Sequence, residues 1–265
     1  MHCLWSVHQG LSSESHGGTP ITTLCRPRIY RGWVRDSGLV SFSVALGESD
    51  LLIRARCDLR DRALEVVHRC RIALESYIHE NPLFGASLVP IPVEEHAPSL
   101  VKEMASAASK TGVGPMAAVA GVIAEAVGRE LLRFSDEVVV ENGGDIFLKT
   151  TRRQLVGLYA GDSSLTGKIA FEVEPAETPL GVCTSSRSVG HSLSFGHADA
   201  VVAFSPSTPL ADAAATAIAN RVASVDAIAN AIELAQDIPG LTGLVVVKDS
   251  NLGLWGRIRI ARKTL

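Results

Sequence analysis

Asp212 and Thr216 lie four residues apart in the stretch Ser207-Thr208-Pro209-Leu210-Ala211-Asp212-Ala213-Ala214-Ala215-Thr216-Ala217, a spacing that stacks two side chains on one helix face. The local sequence is helical by type. Ser207 or Thr208 is a natural N-cap, Pro209 suits the first helical position, and a run of alanines follows. A carboxylate and a hydroxyl near a helix N-terminus offer two hard oxygen ligands to Mg²⁺, which keeps its remaining positions for water and phosphate oxygens. The positive end of the helix favours the phosphate as well. The same spacing also serves a structural purpose, with Asp212 offsetting the dipole of the first turn and Thr216 bonding back to a carbonyl.

Two other polar segments precede this helix. Asn142-Gly143-Gly144 separates two apolar runs, Glu137 to Val140 and Asp145 to Lys149, and Asn-Gly in that setting is a strong hairpin signal. On that ground alone the glycines supply positive φ angles. Cys183 to Gly196 gathers Thr184, Ser185, Ser186, Arg187, Ser188, His191 and Ser194. Such a set can line an anion site, with Arg187 on phosphate and His191 as an acid or base near neutral pH. A solvated serine-rich loop has the same composition. No Gly-x-Ser-x-Gly elbow accompanies it, so a Ser-His-Asp hydrolase is not expected.

Taken together, these residues resemble a known family. Ala211-Asp212-Ala213-x-x-Thr216-Ala217 is similar to the metal-binding motif of the ApbE-like flavin transferases, which use Mg²⁺ and FAD to attach FMN to a threonine of a target protein. Glu141-Asn142-Gly143-Gly144-Asp145 resembles that family's Asn-x-Gly-Gly-Asp turn, and Thr184-Ser185-Ser186 followed by His191 resembles its Thr-Ser-Gly and downstream His. Val-Gly-Pro-Met-Ala-Ala-Val-Ala-Gly, here Val113 to Gly121, resembles the hallmark of an uncharacterised branch of the superfamily. The resemblance covers roughly Arg28 to Ala261. It implies Mg²⁺ at Asp212 and Thr216, with FAD as substrate or ligand. Around that ligand it implies Gly114, Met116, Asn142, Gly143, Gly144, Asp145, Thr184, Ser185, Ser186 and Arg187. The bare backbone of the two turn glycines would admit the cofactor, and Asn142 or Asp145 would bond to it. His191 and Asp212 are the catalytic candidates.

Two departures matter. Aligning Gly121 with the family's Lys-Gly pair puts Ala120 in the lysine position and Glu125 in that of the Asp four residues on. After His191 the chain reads Ser192-Leu193-Ser194-Phe195-Gly196 in place of Asp-Pro-x-Thr-Gly. Two functions stay open: an enzyme transferring or hydrolysing at a flavin or nucleotide pyrophosphate, and a non-catalytic binding protein for flavin or another small ligand. A T-fold-like protein can complete its site as a homodimer.

The positioning elements follow from pattern. Strands are expected at Arg28 to Val34, Gly38 to Leu46 and Leu51 to Arg56, then a helix capped by Asp58 to about His79, with Ala63, Val67, Cys70, Leu74 and Ile78 at helical spacing. Residues 81 to 98 hold four prolines and read as a loop, followed by helices from Pro98 to Ser109 and from Pro115 to Arg133. Gln154 to Tyr159 and Lys168 to Val173 are expected to extend the sheet. Ala198 to Phe204 leads into the Asp212 helix, Val225 to Gln236 forms another, and Leu244 to Lys248 with Leu254 to Ile260 closes as a hairpin. Strands and helices come in blocks, which argues for an α+β fold. With the resemblance, that becomes a two-layer, mostly antiparallel sheet with packed helices, T-fold-like. Residues 1–27 are expected to be a disordered or over-extended lead, and 28–265 one domain or two intimate halves meeting near residue 145.

A chain of 265 residues can bury one substantial core, and a net charge of −3 with no basic stripe gives no nucleic-acid surface. Five cysteines without a Cys-x-x-Cys pair read as reduced thiols. The Gly-x-Gly-x-x-Ala letters at Gly112 to Ala117 follow a helical stretch, which excludes a Rossmann turn, and Glu125 interrupts the apolar run before membrane-spanning length. With no signal sequence in view, a cytoplasmic location is expected.

Overall fold

The computed structural model describes residues 38–161, 163–186 and 198–262. The expected strand at 28–34 lies outside them. Eleven strands and six α-helices occupy the described chain. The first two strands, β1 (Val40–Leu46) and β2 (Ser49–Ala55), form a hairpin across Gly47, whose φ of 56° turns the chain. In β2 every second residue, Ser49, Leu51, Ile53 and Ala55, is buried, the period of a strand with one covered face. The covering helix, α1 (Arg60–Glu80), brings Ala63, Val66, Val67, Leu74 and Tyr77 to that face.

The short α2 (Pro82–Ala86) interrupts the expected loop. Next come α3 (Ser99–Thr111), ended by Gly112 with φ 73°, and α4 (Val119–Leu131). The single helix expected from Pro115 is broken: Pro115–Ala118 is a 3-10 turn, and Ala118 leaves helical geometry at φ −113°, ψ 4° before α4 starts. That break gives α4 an N-terminus of its own, buried from Gly121 on.

Strands β3 (Val138–Asn142) and β4 (Asp145–Lys149) pair across Gly143-Gly144, both with positive φ, as the Asn-Gly signal predicts. β7 (Leu180–Ser185), β8 (Ala200–Ser205), β9 (Gly243–Lys248) and β10 (Asn251–Gly256) complete an eight-stranded antiparallel sheet in the order β1-β2-β3-β4-β7-β8-β9-β10. The remaining helices, α5 (Thr208–Ala219) and α6 (Ala227–Gln236), join α1 and α4 on one face.

The expected layers of helices and antiparallel sheet are present, and the fold is α+β. A second sheet adds to them. β5 (Gln154–Gly157) and β6 (Ile169–Val173) do not extend the large sheet; with β11 (Arg259–Arg262) they form a three-stranded sheet in the order β11-β6-β5. Its apolar face lies on the side of β7, β8 and β9 opposite the helices, where Phe171 meets Phe204 edge-on at 5.3 Å between ring centroids. β8 is therefore buried on both faces, Val201 and Ala203 toward α5 and Ala200, Val202 and Phe204 toward the small sheet. The closing hairpin is shorter than expected, because Gly256 at φ 95° turns the chain away toward β11. Among the described residues no single helix is long and apolar enough to cross a membrane.

Candidate functional site

All twelve residues of α5 are buried, between α3 and α4 on one side and β7 and β8 on the other. Alanine suits such a helix, since larger side chains would hold its neighbours away. The approach is close: a Cβ on Gly181 would lie 2.6 Å from Thr208 Cα, and one on Gly121 would lie 2.7 Å from the Thr208 carbonyl oxygen and 2.9 Å from Asp212 Cβ. Ser207 caps α5 as expected, its hydroxyl accepting the Leu210 N–H at 3.4 Å.

Asp212 and Thr216 are both buried. The Asp212 carboxylate faces the N-terminus of α4, where its Oδ2 accepts the Gly121 N–H at 2.8 Å. Asn142, ending β3, donates its side-chain amide to the Ala120 carbonyl at 3.1 Å. The Gly143-Gly144 turn is held by the Gly144 N–H, which donates to Glu141 Oε1 at 2.9 Å. A Cβ on Gly144 would come no closer than 3.7 Å to another atom, so the backbone there is bare.

Asp145, the first residue of β4, is buried on the same side as Asn142, its partner across the hairpin. Its Oδ1 accepts the Thr184 N–H at 3.3 Å. Cys183 Sγ sits between this carboxylate and the Thr208 carbonyl, 3.4 Å away. Burial pushes the Asp145 carboxyl up to about 7, with Glu141 adding to the rise and the bonds from Cys183 and Thr184 opposing it. Burial and the nearby Asp145 push the Asp212 carboxyl well above the usual carboxylate range, against the donated N–H groups of Gly121 and Ala120. The Cys183 thiol is raised by burial and by both carboxylates. Asp145, Asp212 and Cys183 are thus buried near one another where α4, α5, β4 and β7 meet, with Asp212 on the Gly121 N–H of α4.

Not every predicted residue joins this cluster. Ser185 and Ser186 are buried at the end of β7, so the polar segment begins in strand, and Arg187 and His191 lie outside the described residues. Gly114 is buried against the 81–98 segment: a Cβ there would lie 1.8 Å from the Ser87 carbonyl, so its missing side chain serves chain packing. Met116 packs against the core of α1, α3 and α4. Glu125, Cys183 and Thr208 join the cluster although none is a candidate ligand by sequence: Glu125 matches the family's Asp, Cys183 only opens the polar segment, and Thr208 reads as a possible N-cap.

A bound divalent cation is compatible with this donor set. Asp145, Asp212 and Thr216 present hard oxygens, which suit Mg²⁺ better than softer metals, and two buried carboxylates lack a cationic side chain between them among the described contacts. No three His, Cys, Asp or Glu side chains converge as a metal centre among the described residues, so water and phosphate oxygens would supply the rest.

The fold and the family match define a class, the ApbE-like α+β proteins. The ApbE protein of Thermotoga maritima superposes with a TM-score of 0.55 at 11% identity, over 84% of this chain and 96% of that one. A variant of the flavin transferase ApbE from Vibrio cholerae gives 0.51 at 13% identity, over 82% and 96%. The family described as "AbpE bacteria" matches residues 31–252. The UPF0280 protein of Methanocaldococcus jannaschii is 44% identical over 208 residues, 77% of this chain and 84% of that protein. A UPF0280 protein of Methanococcus maripaludis is 41% identical over 227 residues, 83% and 92% of the two chains. The chain belongs to the ApbE-like superfamily and groups there with the UPF0280 proteins.

Proposed function

We propose that the protein binds a flavin or another nucleotide diphosphate together with Mg²⁺ at the junction of α4, α5 and the Gly143-Gly144 turn, and acts at its pyrophosphate. The observation that carries this reading is two buried acids that repel each other, Asp145 and Asp212, the latter on the Gly121 N–H of α4, an arrangement costly to a fold that has no cation to put there. The flavin link comes from kinship, since the ApbE relative from Vibrio cholerae is named a flavin transferase. Asp212 and Thr216 would hold the metal, with Asp145 orienting its water. Bound Mg²⁺ neutralises charge that builds on phosphate oxygens. The bare backbone at Gly144 admits a flat or extended ligand beside Asn142, whose side chain is already fixed by the Ala120 carbonyl. His191, carried over from the motif resemblance, would move a proton to or from the leaving oxygen.

A second reading rests on Ala120. A methyl group stands where the resemblance calls for a lysine, so this position adds no cation beside the phosphates. In that reading the protein holds its ligand without chemistry. Incubation of the pure protein with FAD and Mg²⁺, followed by chromatography for FMN and AMP, separates the two. Metal-dependent release of FMN, lost in His191→Ala, supports the enzyme. Binding without turnover supports the second reading, and neither binding nor turnover contradicts both.

A further inference from the structure

Helices α4 and α5 exchange carboxylates. Each helix begins at their crossing, where its first N–H groups find no acceptor within their own helix. Asp212, in the second turn of α5, accepts the Gly121 N–H of α4 at 2.8 Å. Glu125, in the second turn of α4, accepts the Thr208 N–H of α5 with its Oε2 at 2.7 Å. The other Glu125 oxygen, Oε1, is held by Arg129 Nε at 2.7 Å and Nη2 at 2.5 Å. Glu125 is buried while Arg129 is 61% exposed, so the guanidinium anchors the carboxylate from the solvent side and leaves one oxygen aimed inward. The two bonds are reciprocal, and the crossing is tight enough that Gly121 has no room for a side chain. Fixing Thr208 fixes the first turn of α5. Asp212 is one turn further along the same helix and Thr216 one turn beyond that.

We propose that Glu125 is the positioning residue for the metal-binding pair. By holding the Thr208 N–H it sets the rotation and depth of α5 against α4, and so the place of the Asp212 carboxylate and the Thr216 hydroxyl. This deepens the function proposed above and rests on it for the identity of the metal. Glu125 itself touches neither metal nor ligand; it acts through backbone. The geometry gives distinct roles to its two oxygens, so an amide in its place keeps an acceptor for Thr208 while losing the ion pair to Arg129.

The test uses the full chain and two readouts. In Mg²⁺ titrations of FAD binding, Glu125→Ala raises the half-saturating Mg²⁺ concentration about 10- to 100-fold, the range found when groups that orient metal ligands are removed. Glu125→Gln restores it to within about threefold. Leu131→Ala, a core substitution on the same helix, lowers the melting temperature without moving that concentration. The second readout needs no ligand: hydrogen exchange at the Gly121 amide, which reports whether the Asp212 carboxylate is in place. Glu125→Ala accelerates it relative to the other core amides, and Glu125→Gln does not. Wild-type protein without Mg²⁺-dependent FAD binding would sink the proposed function, while Gly121 exchange would still decide the positioning claim. A Gly121 amide in Glu125→Ala as protected as in wild type would overturn the inference.

Discussion

Asp145 and Asp212 are buried acids whose carboxyls are both raised, so the fold holds protons that the unfolded chain gives up. For Asp145 the sign is definite. Its carboxyl moves from the ordinary 3.8 up to about 7, so between those values the folded state binds more protons, and stability falls as pH rises through that window. Metal-free Asp145→Asn should lose this dependence. Urea midpoints near about pH 5 and about pH 8 check it: the variant's advantage over wild type grows toward the higher pH, and an equal difference at both would refute the assignment. Asp212→Asn keeps an acceptor for the Gly121 N–H and removes a buried acid whose ionisation burial and Asp145 disfavour. It is expected to raise the melting temperature of the metal-free protein at about pH 8 by roughly 2–4 °C, the effect of about 1 kcal/mol in a chain of this size. A stabilised variant without metal-dependent binding is what a functional acid, as opposed to a structural one, predicts.

At the scale of elements, the α4–α5 crossing is the part with least slack. Gly121→Ala would set a Cβ 2.7 Å from the Thr208 carbonyl, a backbone atom that moves only if the helices part. The expected cost is about 1–3 kcal/mol, with both reciprocal bonds weakened. Gly112→Ala is the contrast: nothing lies within 4 Å of the added carbon, but φ is 73°, and the cost is about 1 kcal/mol of backbone strain. Thermal unfolding of the two, with Mg²⁺ titrations of FAD binding, tests the distinction, because only Gly121→Ala should disturb the metal. The helical repeat of Ala63, Val67 and Leu74 and the Asn-Gly turn made α1 and the β3–β4 hairpin legible from sequence, since each depends on neighbours in the chain. The break at Ala118 was not legible. Alanine favours helix, and the acceptor that gives α4 its separate start, Asp212, is far away in sequence.

For the molecule as a whole, β6 is an apolar run with Ala170, Phe171 and Val173 all buried, and such a run does not say which sheet it joins; β5 and β6 were expected in the large sheet and belong to a second one over Phe204. The candidate site divides the same way. Asn142, Asp145, Asp212 and Thr216 were readable as types at telling spacings. Their burial, the raising of both acids, the Cys183 thiol between Asp145 and Thr208, and the part played by Glu125 are products of tertiary contact. The proposed binding of a nucleotide diphosphate at this junction, through a metal at Asp212, is open to calorimetric titration with FAD, with and without Mg²⁺, on wild type and Asp212→Asn. Wild type is expected to bind FAD only with Mg²⁺, and the variant to lose that binding while its fold persists; Mg²⁺-dependent binding that survives in Asp212→Asn, or no FAD binding by wild type under either condition, would rule out a metal-held nucleotide at this junction.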